Sequence, residues 1–598
     1  MRSLKLVIPA NAGIHLGLVH RDSRLRGNDE RASKPGFRTD TSLAGVATFP
    51  HSPDAERRRT LEALASERFD VLIIGGGITG AGVARDAAMR GLRVALVERD
   101  DFASGTSSRS SRLVHGGVRY LEHGQLGLVF ESSRERRTLL RIAPHLVRPL
   151  AFVWPVYRGA RVARWKLALA LTLYDALALF RNVGRHQRLD ASGVQAREPR
   201  LSASHLDGGA RYWDAATDDA RLTLSTIRSA QTAGAVVLNH ARVVAFARER
   251  DRIIGAQVVD AETGATTDVR ARVVVNATGP WSNAIERLVR AGSVDGVRGS
   301  KGVHVSVPRA RVGNVSAVTL IAPQDGRVMF VLPAGAFTII GTTDTFDDIA
   351  PEDVHATTAD VAYLLDAANH YFPAARLTAQ DVVAAWAGLR PLASPSRDPS
   401  GPGHISREHV IAEPCAGLVS VTGGKLTTYR AMSAEVVDVV ERALGGARTR
   451  CRTADAPLDG GDISDIAGTI AEATRLVGDG AVAERLVHAH GSAWRAVWSL
   501  VEGDGSLGAP VTPERPYLLA ELRHGVTHEL ARTLGDLLMR RTPVAFETVD
   551  HGRAAARQVA GVVGDWLGWD AAGRGRAIAA YDREVARMFS VEDQDVSV

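Results

Sequence analysis

Three glycines and a glutamate supply the first recognisable chemistry. Gly75, Gly77 and Gly80 stand at G-x-G-x-x-G spacing, and Glu98 closes the apolar run that follows. The first glycine permits a tight turn, the second lets backbone approach a pyrophosphate, and the third lets helix and strand pack closely. A carboxylate at position 98 accepts hydrogen bonds from a ribose hydroxyl and repels a 2′-phosphate, so FAD or NAD is expected rather than NADP. A second polar stretch, GTSSRSSRLVHGGVRYLEH, covers 105–123. There Thr106, Ser107, Ser108, Arg112, Gly116 and Gly117 offer hydroxyls, a cation and backbone N–H groups that suit a phosphate or an isoalloxazine edge; a plain polar loop is the alternative. No His/Cys cluster has metal-ligand spacing; His488 and His490 flank Ala489 with nothing nearby in sequence to complete a site. A Gly-x-Ser-x-Gly elbow is absent, which argues against a hydrolase.

The elements that must position these residues are legible around them. Phe69 to Ile74 is a short, β-branched apolar run, as a buried parallel strand should be. Ile78 to Arg90 carries Ala81, Ala84, Ala87 and Ala88, small enough for a helix lying tight on a sheet with its N-terminal N–H groups toward a phosphate. Val94 to Val97 is the second strand. Arg270 to Asn276 is another β-rich run, and Ala277, Thr278 and Gly279 follow it; Val236 to Arg250, which includes Val243, pairs with Ile253 to Val259. Val303–Val307, Val315–Ile321, Val328–Leu332 and Phe337–Ile340 read as a meander in a second sheet. Beyond Ser464 the patterning turns helical, at Ala481–His490, Ala493–Glu502, Leu518–Arg541 and Val549–Trp566, with the glycine-rich 458–462 as boundary. The expected fold is therefore α/β: a Rossmann-like dinucleotide domain interleaved with a mixed or antiparallel substrate-binding sheet over 67–450, then an all-α domain over 455–590.

A chain of 598 residues with 45% hydrophobic and 23% charged residues is an ordinary multidomain globular protein. Cys415 and Cys451 are the only cysteines, in keeping with a reducing cytoplasm. Net charge is +6, yet the basic residues are scattered, so nucleic acid is not an expected partner, whereas an anionic substrate or lipid face is compatible. Lysine is confined to Lys5, Lys34, Lys166, Lys301 and Lys425, the last two within glycine-flanked motifs where arginine would not serve. No apolar run is long enough to span a bilayer; WKLALALTLYDALALF (165–180) reads as a helix that is buried or lies on the surface. Residues 1–66 show no sustained period and are expected to be an unstructured extension; VIPANAGIHLGLVHRDSRLRGNDE resembles the translation of a bacterial interspersed repeat, as a misassigned start would give.

With VNATGPW (275–281) added, the pattern resembles the FAD-dependent oxidoreductases of the D-amino-acid-oxidase-like superfamily. KGVHVSVPR (301–309), IIGTTDT (339–345), GLRPL (388–392), SVTGGKLTTYR (420–430) and DLLMRRTP (536–543) narrow the resemblance to aerobic, FAD-dependent glycerol-3-phosphate dehydrogenases, over about 68–590. The resemblance implies FAD as cofactor and hydride transfer from C2 of sn-glycerol 3-phosphate to the flavin N5, giving dihydroxyacetone phosphate. It also implies electron transfer to a membrane quinone, peripheral attachment to the inner face of the cell membrane from the cytoplasm, and a homodimer as one permitted assembly. Such chemistry needs cations for a phosphate, a base for the C2 hydroxyl and a positive group near the reduced flavin.

Under that resemblance Arg119, Arg390 and Arg407 surround the substrate, because a planar fork binds phosphate bidentately. Tyr120 either hydrogen-bonds substrate or packs, and Thr343 either hydrogen-bonds substrate or shapes a turn. His304 is the candidate base, since imidazole titrates near neutrality, although the resemblance itself does not assign the base. Lys425 would stabilise the anionic reduced flavin or hold substrate, or else cap a helix; Lys301 could serve similarly. Gly424, Leu426 and Thr427 present backbone N–H groups to the flavin's pyrimidine end, and Val243 contacts the adenine side. Three alternatives stay open: a glycerol-3-phosphate oxidase using oxygen, an amino-acid or 2-hydroxy-acid oxidase of the same fold, and a non-catalytic nucleotide-binding protein.

Overall fold

The computed structural model describes residues 52–121, 124–289, 297–346, 349–393, 409–513 and 515–593. Two sheets and a helical domain make up the fold. The first sheet is centred on β1 (Arg68–Ile74) and β2 (Val94–Val97). Its order is Val236–Leu238, β2, β1, Thr266–Asn276, Leu418–Gly423, His409–Cys415, with neighbours parallel except at the last pair. A hairpin, Ala241–Glu249 with Arg252–Asp260, joins antiparallel to Thr266–Asn276. The end of β1 and all of β2 are buried, the composition expected of parallel strands covered on both faces.

The second sheet is mixed and mostly antiparallel. Its long strands Val297–Pro308 and Ala384–Ala393 pair so that His304 lies opposite Trp386, and the next strand sets Gly341 against His304 from the other side. The meander expected over 303–340 is present, with the strand expected from Val315 starting at Ala317. These pairings also carry Arg390 to Ser300, four positions from His304 along the same strand.

Two expectations are corrected. Residues 53–66 are not an unstructured extension: they form helix α1 (Pro53–Ser66), capped by the Ser52 hydroxyl, with Leu64 and Arg57 buried and Arg57 paired to Asp260 at 2.5 Å. Residues 1–51 lie outside the described residues. The helix expected over Leu518–Arg541 is broken: Leu519–His528 ends before Leu530, whose backbone is left-handed (φ 57°), and Asp536–Arg541 forms a separate π-helical segment. The helix Arg164–Leu177 lies on the surface, burying Leu167, Leu171 and Tyr174 while Trp165, Leu169 and Leu173 face outward. Among the described residues no helix is long and apolar enough to cross a membrane.

The later C-terminal helices, from Leu519–His528 to Ala571–Phe589, share a core with the second sheet, whereas Ile466–Val477, Gly480–His490 and Trp494–Gly503 pack in a separate core. Phe546 meets Trp386 edge-on at 5.4 Å, so the helical domain backs directly onto the strand that faces His304.

Candidate active site

The two sheets enclose a cleft of about 470 Å³ lined from both. At its first end, helix α2 (Ile78–Met89) starts at Gly77 with no side-chain cap, and the Ile78 N–H is taken by the Ser107 hydroxyl at 3.0 Å. Gly75 has φ 109°, and a Cβ there would lie 2.7 Å from the Ala277 carbonyl oxygen. At Gly80 a Cβ would lie 1.9 Å from the Gly75 carbonyl oxygen, the close helix–strand packing that the spacing predicts. The Glu98 carboxylate accepts from the Gly76 N–H at 2.6 Å and the Asp100 N–H at 2.9 Å. Burial pushes this carboxyl up, and the two backbone N–H groups oppose the shift. Thr106, Val243, Ala277, Thr278 and Gly279 complete this end, with Trp281 beneath the Arg99 guanidinium at 5.0 Å.

At the other end His304 lines the cleft with its ring stacked on Trp386, centroids 5.5 Å apart and planes 13° from parallel. Its Nε2 lies 2.8 Å from the Ser111 Oγ. Burial, then the guanidinium groups of Arg390 and Arg112, holds the ring down to about 3, so it is neutral at physiological pH. Arg390 donates to the Thr342 hydroxyl at 2.8 Å and to Asp344 at 3.1 Å, which fixes its fork over Gly302. The Lys425 ammonium sits 3.7 Å above the centre of the Tyr120 ring, and Gly424, Leu426 and Thr427 line the cleft beside it.

Several expected site residues lie elsewhere. Ser108 is buried and does not line the cleft. Arg112 stands behind the wall, over the rings of Phe546 (4.8 Å) and Trp386 (5.7 Å) and 3.9 Å from Asp219, so it reaches His304 only as a charge. Gly116 donates its N–H to Asp214 and packs against Tyr174 and Ser133, and Gly117 packs under the Tyr120 ring; neither lines the cleft. Thr343 accepts from the Val303 N–H at 3.0 Å, and its neighbour Thr342 is the residue at the cleft. Lys301 is buried against Asp360 at 3.0 Å rather than facing the site. Arg407 and the side chain of Arg119 lie outside the described residues. Ser111, Arg109, Thr342 and Trp386 escaped sequence reading. Ser111 and Arg109 sit inside the polar stretch already singled out, but Trp386 is brought to His304 only by strand register. Burial, then the neighbouring Arg587 guanidinium, lowers Arg109 to about 10.

Gly77 without a cap, Gly75 against the Ala277 carbonyl and Glu98 at the end of β2 fit the pyrophosphate and ribose of a dinucleotide. The glycine-rich turn at 423–424 and Lys425 fit the ring at its far end. These features define a flavin-dependent oxidoreductase. Residues 70–430 match the family described as FAD dependent oxidoreductase, and 451–574 match the C-terminal domain of alpha-glycerophosphate oxidase. Glycerol-3-phosphate dehydrogenase 2 of Mycobacterium tuberculosis is 41% identical over 557 residues, 91% of this chain and 93% of the relative. Glycerol-3-phosphate dehydrogenase of Mycobacterium leprae is 42% identical over 561 residues, 92% and 94% of the two chains. The solved structure of the Bacillus halodurans glycerol-3-phosphate dehydrogenase complexed with FAD superposes with a TM-score of 0.75 at 32% identity, covering 90% of this chain and all of that one. The chain belongs to the FAD-dependent glycerol-3-phosphate dehydrogenase family.

Proposed function

We propose that this protein oxidises sn-glycerol 3-phosphate at C2 to dihydroxyacetone phosphate and passes the electrons to a membrane quinone. The observation that carries the reading is the pairing, in one cleft, of a neutral buried imidazole with a guanidinium already fixed in place: His304 and Arg390. FAD, when bound, supplies the hydride acceptor. Arg390 binds the phosphate through its fork; Asp344 and Thr342 hold that fork, so little conformational freedom is lost on binding. His304 takes the C2 hydroxyl proton at Nε2, the atom that Ser111 faces at 2.8 Å, in the tautomer protonated at Nδ1. A phosphate dianion beside the ring opposes the guanidinium charges that depress it, so substrate binding itself makes His304 a better base. Lys425 provides the positive charge at the flavin end of the cleft.

Peripheral attachment to an anionic membrane is supported by the helix Arg164–Leu177. Trp165 is 66% and Leu169 64% exposed, with Leu179 and Phe180 exposed beyond the helix end. Arg161, Arg164, Lys166, Arg181 and Arg185 are exposed around that apolar face, an arrangement suited to anionic lipid.

The deciding experiment is anaerobic. One equivalent of sn-glycerol 3-phosphate added to the yellow protein should bleach the flavin band near ~450 nm, a property of oxidised flavin itself. Glycerol and glycine should leave it unchanged. A persistent band with all three would overturn the substrate assignment. Hydrogen peroxide formed at nearly the rate of substrate oxidation in air would replace quinone by oxygen as acceptor.

A further inference from the structure

The π-helical segment Asp536–Arg541 contains two adjacent arginines, both buried in the helical domain, and both reach across to one carboxylate of the dinucleotide domain. Arg540 Nε donates to Asp101 at 2.6 Å; Arg541 donates through both terminal nitrogens at 2.5 and 3.0 Å. Asp101 is wholly buried and also accepts from the Asn239 amide at 3.0 Å. Inserted π turns are rare and concentrate at functional sites.

Asp101 lies in the turn that follows Glu98, and this turn is laced to the glycine turn. Glu98 accepts from the N–H groups of Gly76 and Asp100, and the Ala103 N–H donates to the Gly76 carbonyl at 3.1 Å. On its other side the His240 N–H donates to the Asp100 carbonyl at 2.7 Å, and His240 Nε2 is 2.9 Å from Asp536, the residue that also accepts from Arg540. Stability alone does not account for such a network, because well-packed apolar residues serve as well as a buried ion pair. What several converging charge-assisted bonds do supply is a fixed position.

We propose that the helical domain is a clamp for the cofactor: Arg540 and Arg541 are positioning residues that, through Asp101, set the Glu98 carboxylate for the adenosine ribose of FAD. The proposal rests on Glu98 being the ribose acceptor, and the two ideas separate experimentally. FAD is stripped from the full-length protein and titrated back, with flavin fluorescence as readout, for the parent, Glu98→Gln, Asp101→Asn and the double variant; ADP, which carries the ribose but no flavin, is titrated by calorimetry. Each single variant should weaken FAD about tenfold, the scale of one charge-assisted hydrogen bond. ADP should weaken by the same factor, and Asp101→Asn should cost less than about twofold once Glu98 is Gln, because coupled residues are not additive. Full additivity, or a loss for FAD without one for ADP, overturns the clamp. An unaffected Glu98→Gln overturns the ribose reading instead. If Asp101→Asn does not fold, Arg540→Lys, which keeps the charge and loses the fork, should still weaken ADP severalfold; unchanged ADP affinity there also overturns the clamp.

Discussion

Lowering the pH from 7 to 5 should loosen the cofactor-free protein by about 3 kcal/mol, chiefly because two rings are buried neutral. His145 is 1% exposed and has its carbonyl bonded by His488 at 3.2 Å. Burial, then the Arg221 guanidinium, holds it at about 3, and His304 is at about 3 for the reasons given above. A folded pKa below the ordinary value near 6.5 means that the unfolded chain takes up protons first. The stabilisation is complete above that value and is lost as pH falls toward 3; at pH 5 each ring has cost about 2 kcal/mol. Asp219 opposes them. Burial raises its carboxyl to about 6, so on the same descent it protonates in the folded protein and gives back about 1 kcal/mol. His240, raised by Asp536 against its burial, also opposes, as do Glu98, Glu131, Glu198 and Asp459, whose carboxyls burial pushes up. His488, held by burial at about 4, and His490, His524, His528 and His551, all depressed by burial, reinforce the loss.

Calorimetric scans of the cofactor-free protein at pH 7, 6 and 5 should therefore show the midpoint falling by about 3 °C, given the unfolding entropy of a chain this size. In His145→Gln the same descent should cost about 2 kcal/mol less. A midpoint independent of pH over this interval, or an unchanged slope in His145→Gln, would refute the assignment of these rings as neutral.

Three further outcomes are expected. His304→Asn should keep its FAD and lose about 10²–10⁴ in the rate of anaerobic flavin reduction; near-normal reduction at neutral pH would remove His304 from proton transfer. Gly80→Ala places a Cβ 1.9 Å from the Gly75 carbonyl oxygen, which backbone cannot yield cheaply, so the protein should purify colourless; a full complement of flavin would show that the helix can shift. Trp165→Ser with Leu169→Ser should cut co-sedimentation with phosphatidylglycerol vesicles about tenfold or more while leaving flavin reduction intact; equal binding would place membrane contact elsewhere.

What could be read in the sequence was whatever the chain keeps local. The strand, turn, helix and acid between residues 68 and 98 specify one another within a single βαβ unit, so Gly75, Gly77, Gly80 and Glu98 were all legible. Helix α1 also had a local signature that polar composition obscured: Ser52 as cap, Pro53 in the first turn, Asp54 and Glu56 following. Its face is held by ion pairs, Arg57 to Asp260 and Asp54 to Arg532, beside only Leu61 and Leu64, too short an apolar stripe to announce it. The break after His528 was signalled too, because Thr533 and Asp536 cap each other in the T-x-x-D manner, a start inside what looked like one continuous helix.

The remainder depended on register and long-range charge. Thr342 and Thr343 are chemically equivalent in a sequence, and only the end of the strand Phe337–Gly341 decides whose hydroxyl accepts from Arg390 at the cleft. Arg112 sits among phosphate-binding residue types, yet its backbone is left-handed (φ 54°) and its guanidinium lies behind His304 rather than in the cleft. Asp101 reads as an ordinary loop acid three residues past Glu98; its partners Arg540 and Arg541 stand more than 430 positions away. No periodicity encodes such a pair, because one buried carboxylate needs only one matching fork wherever the fold delivers it. His490, His524 and Glu529 make the same point: His488 and His490, on either side of Ala489, suggested no site, yet the fold brings the ligand atoms of His490, His524 and Glu529 within 4.8 Å of one another. Arg221 at 2.8 Å then occupies Glu529, so the cluster reads as a domain contact rather than a metal centre. Sequence thus located one end of the cleft, whereas the supports behind its walls, Phe546 against Trp386 among them, exist only once the helical domain has docked.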